Sequence, residues 1–177
     1  MSSTKPIKVV FLGESNVGKT CMISQIMEGK FDPNTPSSTG GIYYEKKLSS
    51  PDKGDMTLDL WDTSGKNEFR SLTKIFYMEA KAVILVYDPT DENTFKEVKE
   101  YWYNQVQSLN AIIVVVANKC DLSDKKVKDE EGKEFADSIG ANFASISAKE
   151  NIGISAFIDK IAEASLNKKK KKKNNYN

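Results

Sequence analysis

No apolar run in the 177 residues approaches the roughly 20 that a membrane-spanning helix needs. The polar stretch Met1 to Pro6 has no apolar signal core behind it, so a cytoplasmic protein is expected. Only two cysteines occur, Cys21 and Cys120. Each lies in or beside a motif described below, and a disulfide joining them would distort both, so they are read as reduced thiols. There is no internal repeat. With five prolines and ten glycines the composition is neither fibrous nor that of a disordered chain. Acidic residues are missing from the end of the chain: all 25 precede Lys168–Lys173, a run holding six of the 26 basic residues, which leaves the body with an acidic excess of five. That charge pattern excludes nucleic-acid recognition across the whole domain and points the tail toward an anionic surface.

What is present is one globular domain's worth of chain, 39% hydrophobic and 29% charged. Ile7 to Leu12, Thr57 to Trp61, Ala82 to Tyr87, Ala111 to Ala117 and Asn142 to Ile146 read as strands. The third and fourth are nearly continuous apolar runs, as expected of parallel strands covered on both faces. Between them Lys19 to Glu28, Asn67 to Met78, Asp91 to Gln107, Asp129 to Ile139 and Ile154 to Leu166 read as helices. Phe95, Val98, Trp102 and Val106 fall on one helical face and are assigned to the core. Ile42 to Leu48 and Met56 to Trp61, joined by the turn-rich Ser49 to Asp55, add an antiparallel edge pair. The predicted architecture is α/β: a six-stranded, mostly parallel sheet with one antiparallel edge strand and helices on both faces. Its ligands belong at the carboxyl ends of the strands. The domain is drawn over residues 1–166, with 167–177 a disordered Lys/Asn-rich tail.

Gly13-Glu14-Ser15-Asn16-Val17-Gly18-Lys19-Thr20 matches G-x-x-x-x-G-K-[ST] between an apolar strand and a helix, the setting of a P-loop. Its glycines let backbone N–H groups turn inward onto phosphate oxygens, and the helix N-terminus that carries Cys21 adds partial positive charge. Lys19 is placed on the β- and γ-phosphates, and the Thr20 hydroxyl on Mg²⁺. The motif alone indicates a P-loop NTPase without choosing the base.

Asn118-Lys119-Cys120-Asp121 directly follows an apolar strand and makes that choice. A carboxylate such as Asp121 accepts two parallel hydrogen bonds, matching guanine's donors at N1 and N2, whereas adenine presents an acceptor at N1. A mismatched buried partner costs on the order of 1–3 kcal/mol, so discrimination is substantial. Ser147-Ala148-Lys149 ends the next strand, where a backbone N–H can meet guanine O6.

With these motifs in order, the chain resembles a Ras-superfamily small GTPase from Ile7 to about Leu166, and the Rab branch fits best. Trp61-Asp62-Thr63-Ser64-Gly65 is similar to the family's W-D-T-A-G, Phe69-Arg70-Ser71-Leu72-Thr73 to the Rab F-R-S-L-T run, and Leu85-Val86-Tyr87-Asp88 to the Rab L-V-Y-D strand. The resemblance implies a GTP/GDP switch in vesicle trafficking. By the same resemblance Asp62 holds Mg²⁺ through water, the Gly65 N–H touches the γ-phosphate, Lys119 lies along the guanine ring and Phe31 packs on the base. The switch I Mg²⁺ ligand is either Thr39, preferred for residue type, or Ser38, which keeps the family's spacing from Phe31. Effectors, an exchange factor and an activating protein are the implied partners, through two switch loops (Phe31 to Gly41 and Asp62 to about Met78) on a monomer.

Two departures stand out. Lys66 occupies the place of the Gln that orients the attacking water in the family, followed by Asn67 in place of the usual Glu. An ammonium donates three hydrogen bonds and accepts none, so slow intrinsic hydrolysis is expected, with negligible hydrolysis by a nucleotide-binding module of the same fold as the alternative. Activating proteins of the Rab type supply a Gln in trans, which leaves assisted turnover open. The chain also ends Asn174-Asn175-Tyr176-Asn177, without the prenylated cysteines usual in Rab proteins. Either the sequence is part of a longer protein, or anchoring is absent, or Lys168–Lys173 act alone through salt-sensitive contact with anionic membrane, about 1 kcal/mol per lysine, with a solvated tail as the plain alternative.

Overall fold

In a computed structural model describing residues 5–50 and 54–174, six strands form one sheet in the order β2-β3-β1-β4-β5-β6. These are β1 (Ile7–Leu12), β2 (Ile42–Ser50), β3 (Gly54–Asp62), β4 (Ala82–Tyr87), β5 (Ile112–Ala117) and β6 (Asn142–Ser145). All neighbours run parallel except β2, which pairs antiparallel with β3 at the edge, from Ile42 opposite Asp62 to Ser50 opposite Gly54. The predicted turn-rich loop therefore shortens as both strands extend into it. Pro51, Asp52 and Lys53 lie outside the described residues, as do residues 1–4 and 175–177 of the predicted tail.

Strand alternation explains why the central strands are apolar throughout. Val9, Phe11, Ile84, Val86, Val114 and Val116 face one way, packing with Met22 and Ile23 of α1 (Lys19–Glu28) and Phe157 and Ile161 of α6 (Ile154–Asn174). Val10, Leu12, Val83, Leu85, Tyr87 and Val115 face the other way, onto Phe95 of α3 (Glu92–Glu97), Val106 of α4 (Tyr103–Val106) and Ala136 of α5 (Asp129–Ser138). Two cores thus sandwich the sheet.

α3 passes into α4 through a π-helical turn, Val98–Trp102, so the helix predicted over Asp91 to Gln107 is one run with a widened middle. Phe95, Val98, Trp102 and Val106 are all buried, in keeping with their assignment to the core. The stretch Asn67 to Met78 resolves into a 3₁₀ turn, Asn67–Phe69, and α2 (Arg70–Tyr77).

The last helix does not stop at Leu166. α6 continues to Asn174, so residues 167–174 of the tail predicted to be disordered are helical in their backbone. Lysine is a good helix former, and neither Gly nor Pro interrupts the run. Among the described residues no helix is long and apolar enough to cross a membrane.

Candidate nucleotide-binding site

Three loops at the carboxyl ends of β1, β5 and β6 converge on one cleft of about 280 Å³. Ser15, Asn16, Gly18, Lys19, Thr20 and Cys21 line it from the P-loop and α1; Asn118, Lys119 and Asp121 from the loop after β5; Ala148 and Lys149 from the loop after β6. Phe31, Ser38 and Gly65 complete its rim. Residues as far apart as Ser15 and Lys149 are thereby brought together because parallel strands all end on the same side of the sheet.

At the phosphate end the buried Lys19 ammonium donates to the carbonyls of Gly13 and Glu14, both at 2.8 Å. Burial lowers its pKa to about 8, against the pull of Asp62 and Glu14 in the other direction. A positive charge held in a cavity with only carbonyl partners is suited to receive an anion. α1 opens at this point with Gly18 as its N-cap and no acidic residue in its first turn, so the helix dipole is uncompensated.

Thr20 Oγ1 donates to Asp62 Oδ2 at 2.7 Å, while Asp62 Oδ1 is buried with no hydrogen-bond partner. Burial raises the Asp62 carboxyl above its ordinary value, with Thr20, Lys19 and Thr63 pulling it down. An orphaned carboxylate oxygen beside a hydroxyl fits a hard divalent cation such as Mg²⁺, which takes oxygen ligands and keeps several waters. Among the described residues there is no group of three or more His, Cys, Asp or Glu side chains that would form a closed metal cage.

The base end is organised by Asn118. Its amide Nδ2 donates to the Val17 carbonyl at 2.9 Å, and its Oδ1 accepts the Ala148 N–H at 3.1 Å. This contact requires glycine at position 18, where an added Cβ would lie 2.3 Å from Asn118 Nδ2 on a backbone with φ of +96°. Asp121 Oδ1 accepts the Ser147 hydroxyl at 2.6 Å, and that hydroxyl oxygen in turn accepts the Glu150 N–H at 3.0 Å. Cys120 N–H donates to the Ile146 carbonyl at 2.9 Å, pinning the loop to the residue that follows β6. Lys119, at a φ of 64°, sends its ammonium to Asp88 Oδ2.

Several predicted residues act from behind the lining. Val17 and Ser147 are buried, and Asp62 is reached through Thr20. Glu14 turns away from the cleft: its Oε1 accepts both the Arg70 guanidinium and the Trp102 indole N–H. Of the two switch I candidates, Ser38 lines the cleft and donates to the Gly40 carbonyl at 2.6 Å, whereas Thr39 is exposed and outside the lining. Placement therefore favours Ser38 over the preference from residue type. Gly65 is tight against the P-loop, its hypothetical Cβ 2.2 Å from the Glu14 carbonyl carbon. Lys66 is exposed and lines a shallow depression with Glu14, Ser15, Gly65, Asn67 and Glu68, next to the main cleft.

Sequence reading missed Pro33, Thr35, Pro36, Ser37, Thr63 and Leu122, all in the lining. Their only sequence signal was proximity to Phe31, Asp62 and Asp121. It missed Asp88 as the partner of Lys119 altogether, because nothing in the spacing of 31 residues announces the pair.

Comparison with known proteins matches this geometry. The sequence profile of the Ras family matches residues 8–167. The GTP-binding protein ypt2 of Schizosaccharomyces pombe is 34% identical over 151 residues, covering 84% of this chain and 75% of that protein. The Ras-related protein Rab-3 of Caenorhabditis elegans is 35% identical over 160 residues, 88% of this chain and 72% of its own length. Human Ras-related protein Rab-22A is 34% identical over 162 residues, 89% and 82%. With the P-loop, the base loop and the Asp62 loop meeting at the same end of such a sheet, the chain belongs to the Ras family, as a Rab-like small GTPase.

Proposed function

We propose that the chain is a GTP/GDP switch in vesicle trafficking whose intrinsic hydrolysis is slow. The observation that carries the reading is the cleft itself, in which a P-loop lysine and a base-reading carboxylate, Asp121, line one continuous surface. Asp121 receives guanine N1 and N2, the Ala148 N–H region receives O6, and Phe31 and Lys119 flank the ring. Lys19 and the N-terminus of α1 bind the phosphates. Thr20 and Ser38 or Thr39 would hold Mg²⁺, with Asp62 holding it through water, and when bound the ion would supply charge neutralisation on the phosphate oxygens.

Slow turnover follows from Lys66. Its exposed ammonium offers no acceptor to a water near Gly65, so the step that a glutamine oxygen would assist lacks its positioning group. Single-turnover hydrolysis of bound GTP tests this directly: a slow but measurable rate supports the switch, and a rate indistinguishable from GTP in buffer leaves a nucleotide-binding module without hydrolysis.

Partner recognition is assigned to the switch loops. Ile42, Tyr43, Leu72, Ile75 and Met78 are exposed around them, and Tyr43, Trp61 and Phe76 form a row of mutually tilted rings with centroids 5.5 and 5.7 Å apart. Such an apolar surface suits an effector, an exchange factor or an activating protein that senses the nucleotide. A monomer that stays cytoplasmic, with salt-sensitive contact of Lys168–Lys173 on anionic membrane, completes the proposal. Co-sedimentation with anionic vesicles at rising salt checks that last element, and salt-independent binding would remove it.

A further inference from the structure

We propose that Asp88 is a positioning residue for the nucleotide base, acting through Lys119. The inference rests on guanine occupying the cleft beside Asp121, and it adds a residue that does not itself line that cleft.

Asp88 immediately follows β4, adjacent to the strand that delivers Asn118 and Lys119. Its two carboxylate oxygens have separate partners. Oδ1 accepts the Thr90 N–H at 2.9 Å and the Thr90 hydroxyl at 2.7 Å; Oδ2 takes the Lys119 ammonium. The backbone is fixed as well, since the Asp88 N–H donates to Thr94 Oγ1 at 2.9 Å and Thr94 Oγ1 lies 2.7 Å from the Asp91 carbonyl, at the start of α3. The Asp88 side chain is 10% exposed and that of Lys119 is 33% exposed. A carboxylate so thoroughly anchored is a fixed point, and the lysine is the mobile partner that it fixes.

A lysine stem has four rotatable bonds, and laying it along a planar ring sacrifices their freedom. Held at its far end by Asp88, the stem has lost that freedom before any ligand arrives, and binding no longer bears the cost. Lys119 meets the flat of the ring and Asp121 its edge. Asp88 therefore contributes affinity for a purine ring in this site without selecting among edges that Asp121 accepts.

The test is the dissociation rate of a fluorescent GDP analogue, with excess Mg²⁺, from wild type, Asp88→Asn, Lys119→Met and the double variant. Asp88→Asn keeps an oxygen for Thr90 and is expected to release GDP about tenfold faster, the loss of one charge-assisted anchor. Inosine diphosphate, which lacks the N2 amino group, is expected to be released faster by the same factor. In the Lys119→Met background Asp88→Asn is expected to change nothing further. Thr90→Val, which loosens Asp88 without touching Lys119, gives a smaller acceleration of the same pattern and serves if Asp88→Asn does not fold. Equal acceleration with and without Lys119, an altered ratio of GDP to inosine diphosphate release, or an unchanged rate each overturns the proposal. A wild type that binds GDP tightly while Asp88→Asn is silent sinks only this inference; a wild type that prefers ADP sinks the guanine reading beneath it.

Discussion

Arg70, the first residue of α2, donates to the same Glu14 oxygen that accepts the Trp102 indole N–H, so switch II is tied to the P-loop by a single carboxylate. The guanidinium also reaches Glu97 Oε2 at 2.9 Å and lies 4.1 Å from the centroid of the Tyr101 ring. Its Nε is buried without a partner. Arg70, Glu14 and Glu97 are 19%, 15% and 26% exposed at their side chains, so the cluster is partly buried. The widened turn at Val98–Trp102 carries both aromatic members of the cluster.

Breaking that cluster is expected to cost more than breaking a solvated pair. Arg70→Met leaves Glu14 and Glu97 partly buried without their cation and should lower stability by about 2 kcal/mol. Lys96→Met, which removes the exposed pair with Glu100, should stay within about 0.5 kcal/mol. Urea denaturation of the GDP-loaded variants measures both, and equal losses would show that burial confers no advantage on the Arg70 cluster.

Restoring an acceptor beside Gly65 should speed chemistry. Lys66→Gln is expected to raise single-turnover GTP hydrolysis by about tenfold or more, below the roughly 10²–10⁴-fold of a full general base because the amide only orients the water. Because Lys66 is exposed, its replacement should leave the melting temperature and GDP dissociation unchanged. An unchanged hydrolysis rate would remove Lys66 from the proposed account of turnover.

Removing the base-reading carboxylate should weaken guanine binding selectively. Asp121→Ala loses a charged acceptor facing two donors, roughly 1.5–3 kcal/mol, or about 10- to 100-fold in GDP affinity. It also strands the Ser147 hydroxyl, which still accepts the Glu150 N–H. Competition of GTP against ATP should show the preference for guanine narrowing while ATP binding changes little; unaltered GDP affinity contradicts the assignment.

Acid titration should expose the Asp88 to Lys119 pair. Burial raises the Asp88 carboxyl, but the Lys119 ammonium and the two Thr90 bonds outweigh it, and its pKa lies below the ordinary value of 3.8. The unfolded chain then binds this proton at a higher pH than the native one. The stabilisation is complete above the ordinary carboxylate range and disappears as pH falls through the lowered value. Asp88→Asn should therefore lower stability at pH 7 and flatten the loss between about pH 5 and the acid limit. A pH profile parallel to wild type would contradict the pairing.

Elements bracketed by strong local signals were legible in advance. β1 and α1 have the predicted bounds because an apolar strand, two glycines and Lys19 punctuate them, and β4 because its six residues are apolar throughout. The end of α6 was not, since a lysine run satisfies two opposed criteria: it lacks apolar anchors yet has high helix propensity. The π turn left no mark on the apolar spacing of Phe95, Val98, Trp102 and Val106, which stays on one face whether the ladder is α or π. Motif membership anticipated which residues share the cleft but not side-chain direction. Glu14 belongs to the P-loop and points at Arg70, and Ser38, not its neighbour Thr39, faces the cleft. Those outcomes depend on partners 56 residues along the chain for Glu14, or on one carbonyl at Gly40 for Ser38, and no local pattern encodes them.

Asn118 couples two loops that the chain separates by more than a hundred residues. One amide holds the Val17 carbonyl of the P-loop with its nitrogen and the Ala148 N–H with its oxygen. A displacement of either loop therefore strains a hydrogen bond of the same side chain, and the two halves of the cleft are mechanically joined through position 118.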